Sequence, residues 1–296
     1  MESFEKINLL KDIEQSIKIF QTAARFTEYS KVYPYTNENL IKKYSLINEG
    51  EYQTALTVLS SGDHLLNLVM NGTSHIDTFD SNKMTEYYVM GIKIPAILNM
   101  TYEQYMKFYK TLLTPGINED KIFAVVKGAE EKYKYFWEEF YRIYYDQNNL
   151  RFDFENLFIS EFDRSHFNKY LRSSSDYQKM QSCLKDATIT FKHADVTTIP
   201  LEFKTYDLID ISNILNYYET IFKAYNYPRE ERKKLVAEIV SKNLNQDGVI
   251  FYDYFLGTGF YEAIRQTRAV MLENTSPFSV ECTNGLAVGL TKNKKY

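Results

Sequence analysis

The run of apolar and polar positions predicts a strand–helix series broken by a long helical block. Leu9, Ile13, Ile17 and Phe20 recur at three- and four-residue spacing, the mark of an amphipathic helix near the start. FTEYSKVYPYTNENL (26 to 40) interrupts it with Pro34 and a polar cluster. That stretch predicts a loop and a second helix at about 37 to 48, with Thr36 or Asn37 as its cap. ALTVLS (55 to 60) is a short continuous apolar run, as expected of a strand buried on both faces of a parallel sheet. HLLNLVMNG has helical spacing and stops at Asn71-Gly72, HIDTFD reads as a second strand, and NKMTEYYVMGIKIPAIL as a longer amphipathic helix. Such a series implies right-handed crossovers in a doubly wound sheet.

From about 100 to 185 the sheet pattern lapses into aromatic-rich helices. Tyr133, Phe136, Trp137, Phe140, Tyr141 and Tyr144 form one helical stripe, which core packing explains, although part of it could line an acceptor pocket. The block reads as a helical insertion or cap. Strands return at ATITFKHADV (187 to 196), YDLIDISNIL (206 to 215) and GVIFYDYF (248 to 255), with the charged helix REERKKLVAEIVSKNL between the last two. FSVECTNGLAVGLTKN predicts a terminal hairpin turning at Thr283-Asn284-Gly285. The expected class is α/β: a Rossmann-like, mainly parallel sheet with a C-terminal β-hairpin. An N-terminal helical segment (1–50) would cover the site of a domain spanning 51–296.

Composition narrows the function classes. A net charge of -4 offers no global basic field for nucleic acid or an anionic membrane. Cys183 and Cys282 are far apart and form no paired motif, which fits a reducing cytoplasm. The charged amphipathic start does not read as a secretion signal, and no apolar stretch approaches the roughly 20 residues that span a bilayer. A soluble cytoplasmic protein is expected, with membrane contact at most peripheral and the oligomeric state open. The histidines are dispersed, so no metal is expected, and neither a Gly-x-Ser-x-Gly elbow nor a phosphate loop occurs.

Polar residues at the strand ends carry the candidate chemistry, because open parallel sheets bind ligands there. Ser60, Ser61, Gly62 and Asp63 close the first strand, where Gly62 permits a tight turn and the next helix offers free N–H groups. Asp80 ends the second strand about twenty residues later, the spacing at which a carboxylate accepts both ribose hydroxyls. Asp195, beside the Val196 N–H, can accept from an adenine amine; Asp210, Ser212 and Asn213 end the fourth strand. Each has a plainer account: a capped helix start, loop carboxylates, and for Asp210 a buried structural partner with Asp207 nearby. Taken together, the four ends have the order an adenosyl cofactor needs. One glycine in the first turn suits S-adenosylmethionine better than a pyrophosphate.

LTVLSSGDHLLNLVMNG with IDTFDSNKMTEYYVMGIKIPAI resembles the diacylglycerol 3-amino-3-carboxypropyltransferases and their relatives, members of the class I methyltransferase superfamily. The resemblance rests on the Ser-Gly-Asp turn, on Asp80 followed by Ser81-Asn82, and on Lys93, Ala96 and Ile97. HADVTTIP and DLIDISNILNYY are similar to the family's third and fourth strands, and EYSKVYP, with Tyr29, to its N-terminal tyrosine segment. Tyr33-Pro34-Tyr35 departs from the family's frequent Trp-Glu-Asp. The likeness covers about 52 to 100 and 187 to 256. It implies a class I methyltransferase fold, S-adenosylmethionine as cofactor, and transfer of a 3-amino-3-carboxypropyl group to a hydroxyl acceptor, a lipid or small molecule, with methylthioadenosine released. Ser60 to Asp63, Asp80 to Asn82, Asp195, Val196, Ser212, Asn213 and Tyr29 would hold the cofactor. Asp210, Asn213 and Tyr217 are the candidates for acceptor chemistry, with Tyr218 and His193 behind them. Methyl transfer to a small molecule is the alternative, and cofactor binding without catalysis a third.

Overall fold

In the computed structural model the residues described are 3–22, 27–36, 38–112, 119–159, 165–214, 229–252, 278–283 and 287–292. Among these residues the strands are β1 (Thr54–Val58), β2 (His75–Asp80), β3 (Thr188–His193), β4 (Tyr206–Asp210), β5 (Leu244–Tyr252), β6 (Phe278–Thr283) and β7 (Ala287–Lys292). They form one sheet in the order β3-β2-β1-β4-β5-β7-β6. The first five are parallel; β7 pairs antiparallel with β5 and β6 antiparallel with β7. Strand order reverses between β1 and β4, which is the switch point of a doubly wound sheet. This is a Rossmann-like, doubly wound architecture with a closing hairpin; the hairpin's turn, 284–286, lies outside the described residues.

Burial on both faces explains the unbroken apolar runs. Ala55, Leu208 and Val249 enter one core, while their neighbours Leu56, Ile209 and Ile250 enter the other. The larger core receives α1 (Ser3–Thr22), α3 (Asp63–Met70) and the helices of the 100–185 block. The smaller one is covered by Ile199–Glu202 and Arg229–Asn243. In the long helix of that block, Glu131–Asn148, Tyr133, Phe136, Trp137, Phe140 and Tyr141 are buried, so the aromatic stripe is core.

Two sequence expectations shift. The second helix is shorter than expected, α2 (Leu40–Tyr44), and its cap is Asn39, which accepts from Lys42 N, in place of Thr36 or Asn37. Thr36 instead donates its N–H to Asp63, and Asn37 lies outside the described residues. The strand expected from 248 begins earlier, at Leu244, and its pairing with β4 shifts register between Tyr206 and Leu208, with Asp247 at a φ of 63°.

After β2 a continuous helix runs through α4 (Lys83–Tyr88), a π turn (Val89–Lys93) and α5 (Ile94–Asn99). Pro95 follows the wide turn, which gives its ring the room an ordinary helical turn would deny it. Gly91 sits where a Cβ would come within 2.9 Å of Trp137 Nε1.

Candidate cofactor cavity

A cavity of about 320 Å³ opens at the carboxyl ends of β1, β2, β3 and β4. Its floor begins with Ser60, held at φ 45°, a left-handed conformation unusual for serine. Ser60 donates its N–H to Asp80 Oδ2 at 2.8 Å, and Asn82 donates its own to Asp80 Oδ1 at 2.9 Å. The two amides fix the carboxylate between the ends of β1 and β2. Burial pushes the Asp80 carboxyl up to about 6, against the pull of the Asn82 and Ser60 amides.

Beyond Asp80, the Ala194 N–H donates to Asp80 O at 3.1 Å, joining the ends of β2 and β3. Asp195 caps the short turn after β3, its Oδ1 accepting from Thr197 N at 2.9 Å and Thr197 Oγ1 at 2.7 Å. Asp195 lines the cavity with Phe79, Ala194 and Val196, a largely apolar slot with one acid at its edge. At the opposite side stand Ser212, Asn213 and Ile214. Ser212 is also left-handed, at φ 52°, so the chain is strained at both strand ends flanking the switch point.

The roof comes from residues ahead of the sheet. Thr27, Glu28, Ser30, Lys31, Val32, Tyr33, Thr36 and Glu38 line the cavity, whereas the 100–185 block contributes Ile159 alone among the described lining residues. Asn82 clasps this roof: its Oδ1 accepts from Ser30 N at 3.0 Å and its Nδ2 donates to Ser30 O at 3.1 Å, while Oδ1 also caps α4.

Of the expected cofactor residues, Ser60, Asp80, Ser81, Asn82, Asp195, Val196, Ser212 and Asn213 are brought together around the cavity. Ser61, Gly62, Asp63 and Tyr29 are not among its lining. Asp63 is enclosed: Oδ1 accepts from Lys93 Nζ at 2.6 Å and Tyr170 OH at 2.8 Å, and Oδ2 from Thr36 N at 2.7 Å and Ser61 Oγ at 3.1 Å. Lys93 also donates to Ser61 O and Pro34 O, and burial lowers its pKa against the pull of Asp63. Gly62 has φ 82°, and a Cβ there would lie 2.8 Å from Val89 Cγ1, so its freedom serves packing against the π turn. Tyr29 donates to Asp12 Oδ1 at 2.6 Å and lines a separate hollow with Lys83.

The acceptor candidates divide differently. Asp210 is fully buried and does not line the cavity. Burial would raise its carboxyl, but Lys43, His64 and Tyr44 hold it well below the ordinary carboxylate range. Its two oxygens are taken by Lys43 Nζ, Tyr44 OH, His64 Nδ1 and Ser212 N. Both of its oxygens are thus engaged within the protein. Asn213 lines the cavity; Tyr217 and Tyr218 lie outside the described residues. His193 is exposed on edge strand β3, with Nε2 3.0 Å from Ser81 O.

Sequence reasoning missed Glu38, which reaches the cavity while its carboxylate meets Lys43, His64 and Ser212. It stood in a polar cluster legible only as loop. Among the described residues no group of three or more potential ligands could hold a metal, and no helix is long and apolar enough to cross a membrane.

No family model matches the chain, and no curated protein matches it. Solved structures align with it at low similarity. The N-methyltransferase NodS from Bradyrhizobium japonicum, in complex with S-adenosyl-L-homocysteine, is 8% identical with a TM-score of 0.37, over 94% of this chain and 99% of that one. A TehB-like SAM-dependent methyltransferase from Corynebacterium glutamicum is 9% identical with a TM-score of 0.34, over 98% and 100%. The ribosomal protein L11 methylase from Lactobacillus delbrueckii subsp. bulgaricus is 10% identical with a TM-score of 0.34, over 82% and 70%.

Proposed function

We propose that the protein is an S-adenosylmethionine-dependent transferase that moves a methyl group. The observation that carries the cofactor is Asp80, at the end of β2 beside the switch point, tied to the Ser60 amide and open to a cavity of nucleoside size. In this reading Asp80 accepts the ribose hydroxyls, the Phe79–Val196 slot takes adenine with Asp195 at its amine edge, and the sulfonium lies over Ser60 toward Asn213. The cofactor supplies an electrophilic carbon on sulfur. The chain's part is to bind, to align acceptor and sulfur, and to exclude water beneath the roof that runs from Thr27 to Thr36.

Of the three carbons on a sulfonium, the methyl is the least hindered to in-line attack, so its transfer needs no special turning of the cofactor. Aminocarboxypropyl transfer is the second reading. It is favoured by the likeness at the Ser-Gly-Asp turn, Asn82 and Lys93, but the structure gives Asp63 and Lys93 to a closed ion pair.

Titration calorimetry with S-adenosylmethionine and S-adenosylhomocysteine tests the cofactor; absence of binding removes the proposal. Incubation with labelled cofactor, candidate hydroxylated lipids and cell extract then reads the by-product. S-adenosylhomocysteine supports methyl transfer, methylthioadenosine the second reading, and neither product despite tight binding a non-catalytic role.

A further inference from the structure

The Lys93–Asp63 ion pair is not part of the cavity lining, yet it holds three consecutive residues of the roof. Lys93 Nζ donates to Pro34 O at 3.1 Å and lies 4.7 Å from the centre of the Tyr35 ring. Asp63 Oδ2 accepts the Thr36 N–H at 2.7 Å, and Thr36 lines the cavity. On its other side the same ammonium donates to Ser61 O at 2.8 Å, in the turn that carries Ser60 onto the cavity floor. One buried pair thus ties the roof to the first turn.

Stability alone gives little reason for ions at this place. Lys93 is 2% exposed and Asp63 0%, with their charged atoms 2.6 Å apart. Such a pair gains little over apolar residues of the same volume, because both charges must leave water. What it supplies instead is direction. A carbonyl oxygen and a ring face meet the ammonium, and an amide N–H meets the carboxylate, so each roof group faces the charge it favours. The lysine reaches them as the last residue of the π turn.

The first half of the roof is fastened differently. Asn82 clasps Ser30, and Val32 pairs with the backbone of 157–159, its N–H donating to Leu157 O and its carbonyl accepting from Ile159 N, both at 2.9 Å. The ion pair serves the half that ends at Thr36.

We infer that Lys93 and Asp63 are positioning residues for the cofactor, holding Pro34–Thr36 of the roof in place over the bound nucleoside. This role rests on the proposed cofactor, which neither residue touches.

The test reads roof and ligand separately. In the free protein, Lys93→Met should speed hydrogen exchange in peptides spanning 27–36 about tenfold or more, while peptides of β1 keep their rates. Affinity for S-adenosylhomocysteine should fall about tenfold. Ile239→Ala, in the smaller core across the sheet, is the control for lost stability and should change neither reading. Should Lys93→Met fail to fold, the double variant with Asp63→Asn, which strands no charge, takes its place. Roof exchange at the wild-type rate, equal acceleration of roof and β1, or unaltered affinity beside a loosened roof overturns the inference while leaving the cofactor in place. If wild type binds no S-adenosylhomocysteine, the cofactor reading falls and the positioning role with it.

Discussion

Asp80 Oδ2 accepts the Ser60 N–H at 2.8 Å, a bond between the ends of two adjacent parallel strands twenty positions apart in sequence. It makes the carboxylate expected at the ribose and the first turn one rigid unit. A ligand held by either is therefore positioned by both.

Replacing Asp80 by Ala removes the acceptor for two hydroxyls. S-adenosylhomocysteine affinity should fall about 30-fold, equivalent to about 2 kcal/mol for hydrogen bonds to a charged group. The far-ultraviolet circular dichroism spectrum should not change. Unaltered affinity would withdraw the ribose assignment.

The raised Asp80 carboxyl gives binding a pH signature. Ribose hydroxyls donate to the ionised form, so affinity should be flat above about pH 6 and weaken about tenfold per unit below it. For the free protein the sign is opposite to that of an ion-paired acid. Its contribution to folding is fully present below the ordinary value of 3.8 and is lost as pH rises through about 6. Calorimetric titrations from pH 5 to 8 check the first statement and denaturant unfolding across the acid range the second, each on wild type and Asp80→Ala; the variant should lack both dependences.

Lys93 and Asp63 are both closed from solvent, so removing one partner strands a buried charge. Lys93→Met should cost about 3 kcal/mol or more in denaturant unfolding. The double variant with Asp63→Asn should cost less than the sum of the two singles, because the stranded charge is then absent. Additive losses would show that the pair is not coupled.

Gly62→Ala combines a left-handed φ with a Cβ 2.8 Å from Val89 Cγ1. The expected loss is about 2 kcal/mol of stability. Adding Val89→Ala should recover the steric part relative to Val89→Ala alone and leave the backbone part. Thermal unfolding of the four proteins separates the two.

Legibility followed the range of each interaction. β2 runs His75–Asp80, the whole of HIDTFD, because alternation and flanking turn residues are local signals. The Ser60–Asp80 juxtaposition was readable because parallel neighbours bring consecutive strand ends together. Glu38, Lys43 and His64 were not, since Lys43 reaches Asp210 across 167 positions and nothing local marks the pairing. Asp63 shows a different limit. A turn of polar residues looks the same in sequence whether its carboxylate faces a ligand or a buried lysine, and here Lys93 takes it. The clasp of Ser30 by Asn82 depends on a backbone path that no periodicity encodes.

The π turn at Val89–Lys93 has a consequence for comparing sequences. A widened turn holds one residue more than the regular helix, and each residue of an α-helix rotates the chain by ~100°. A relative with an uninterrupted helix would keep its lysine opposite the β1 turn only if it stood one position earlier. Alignments across 83–99 therefore need a one-residue gap within the turn; without it, every position after Lys93 is matched to the wrong face.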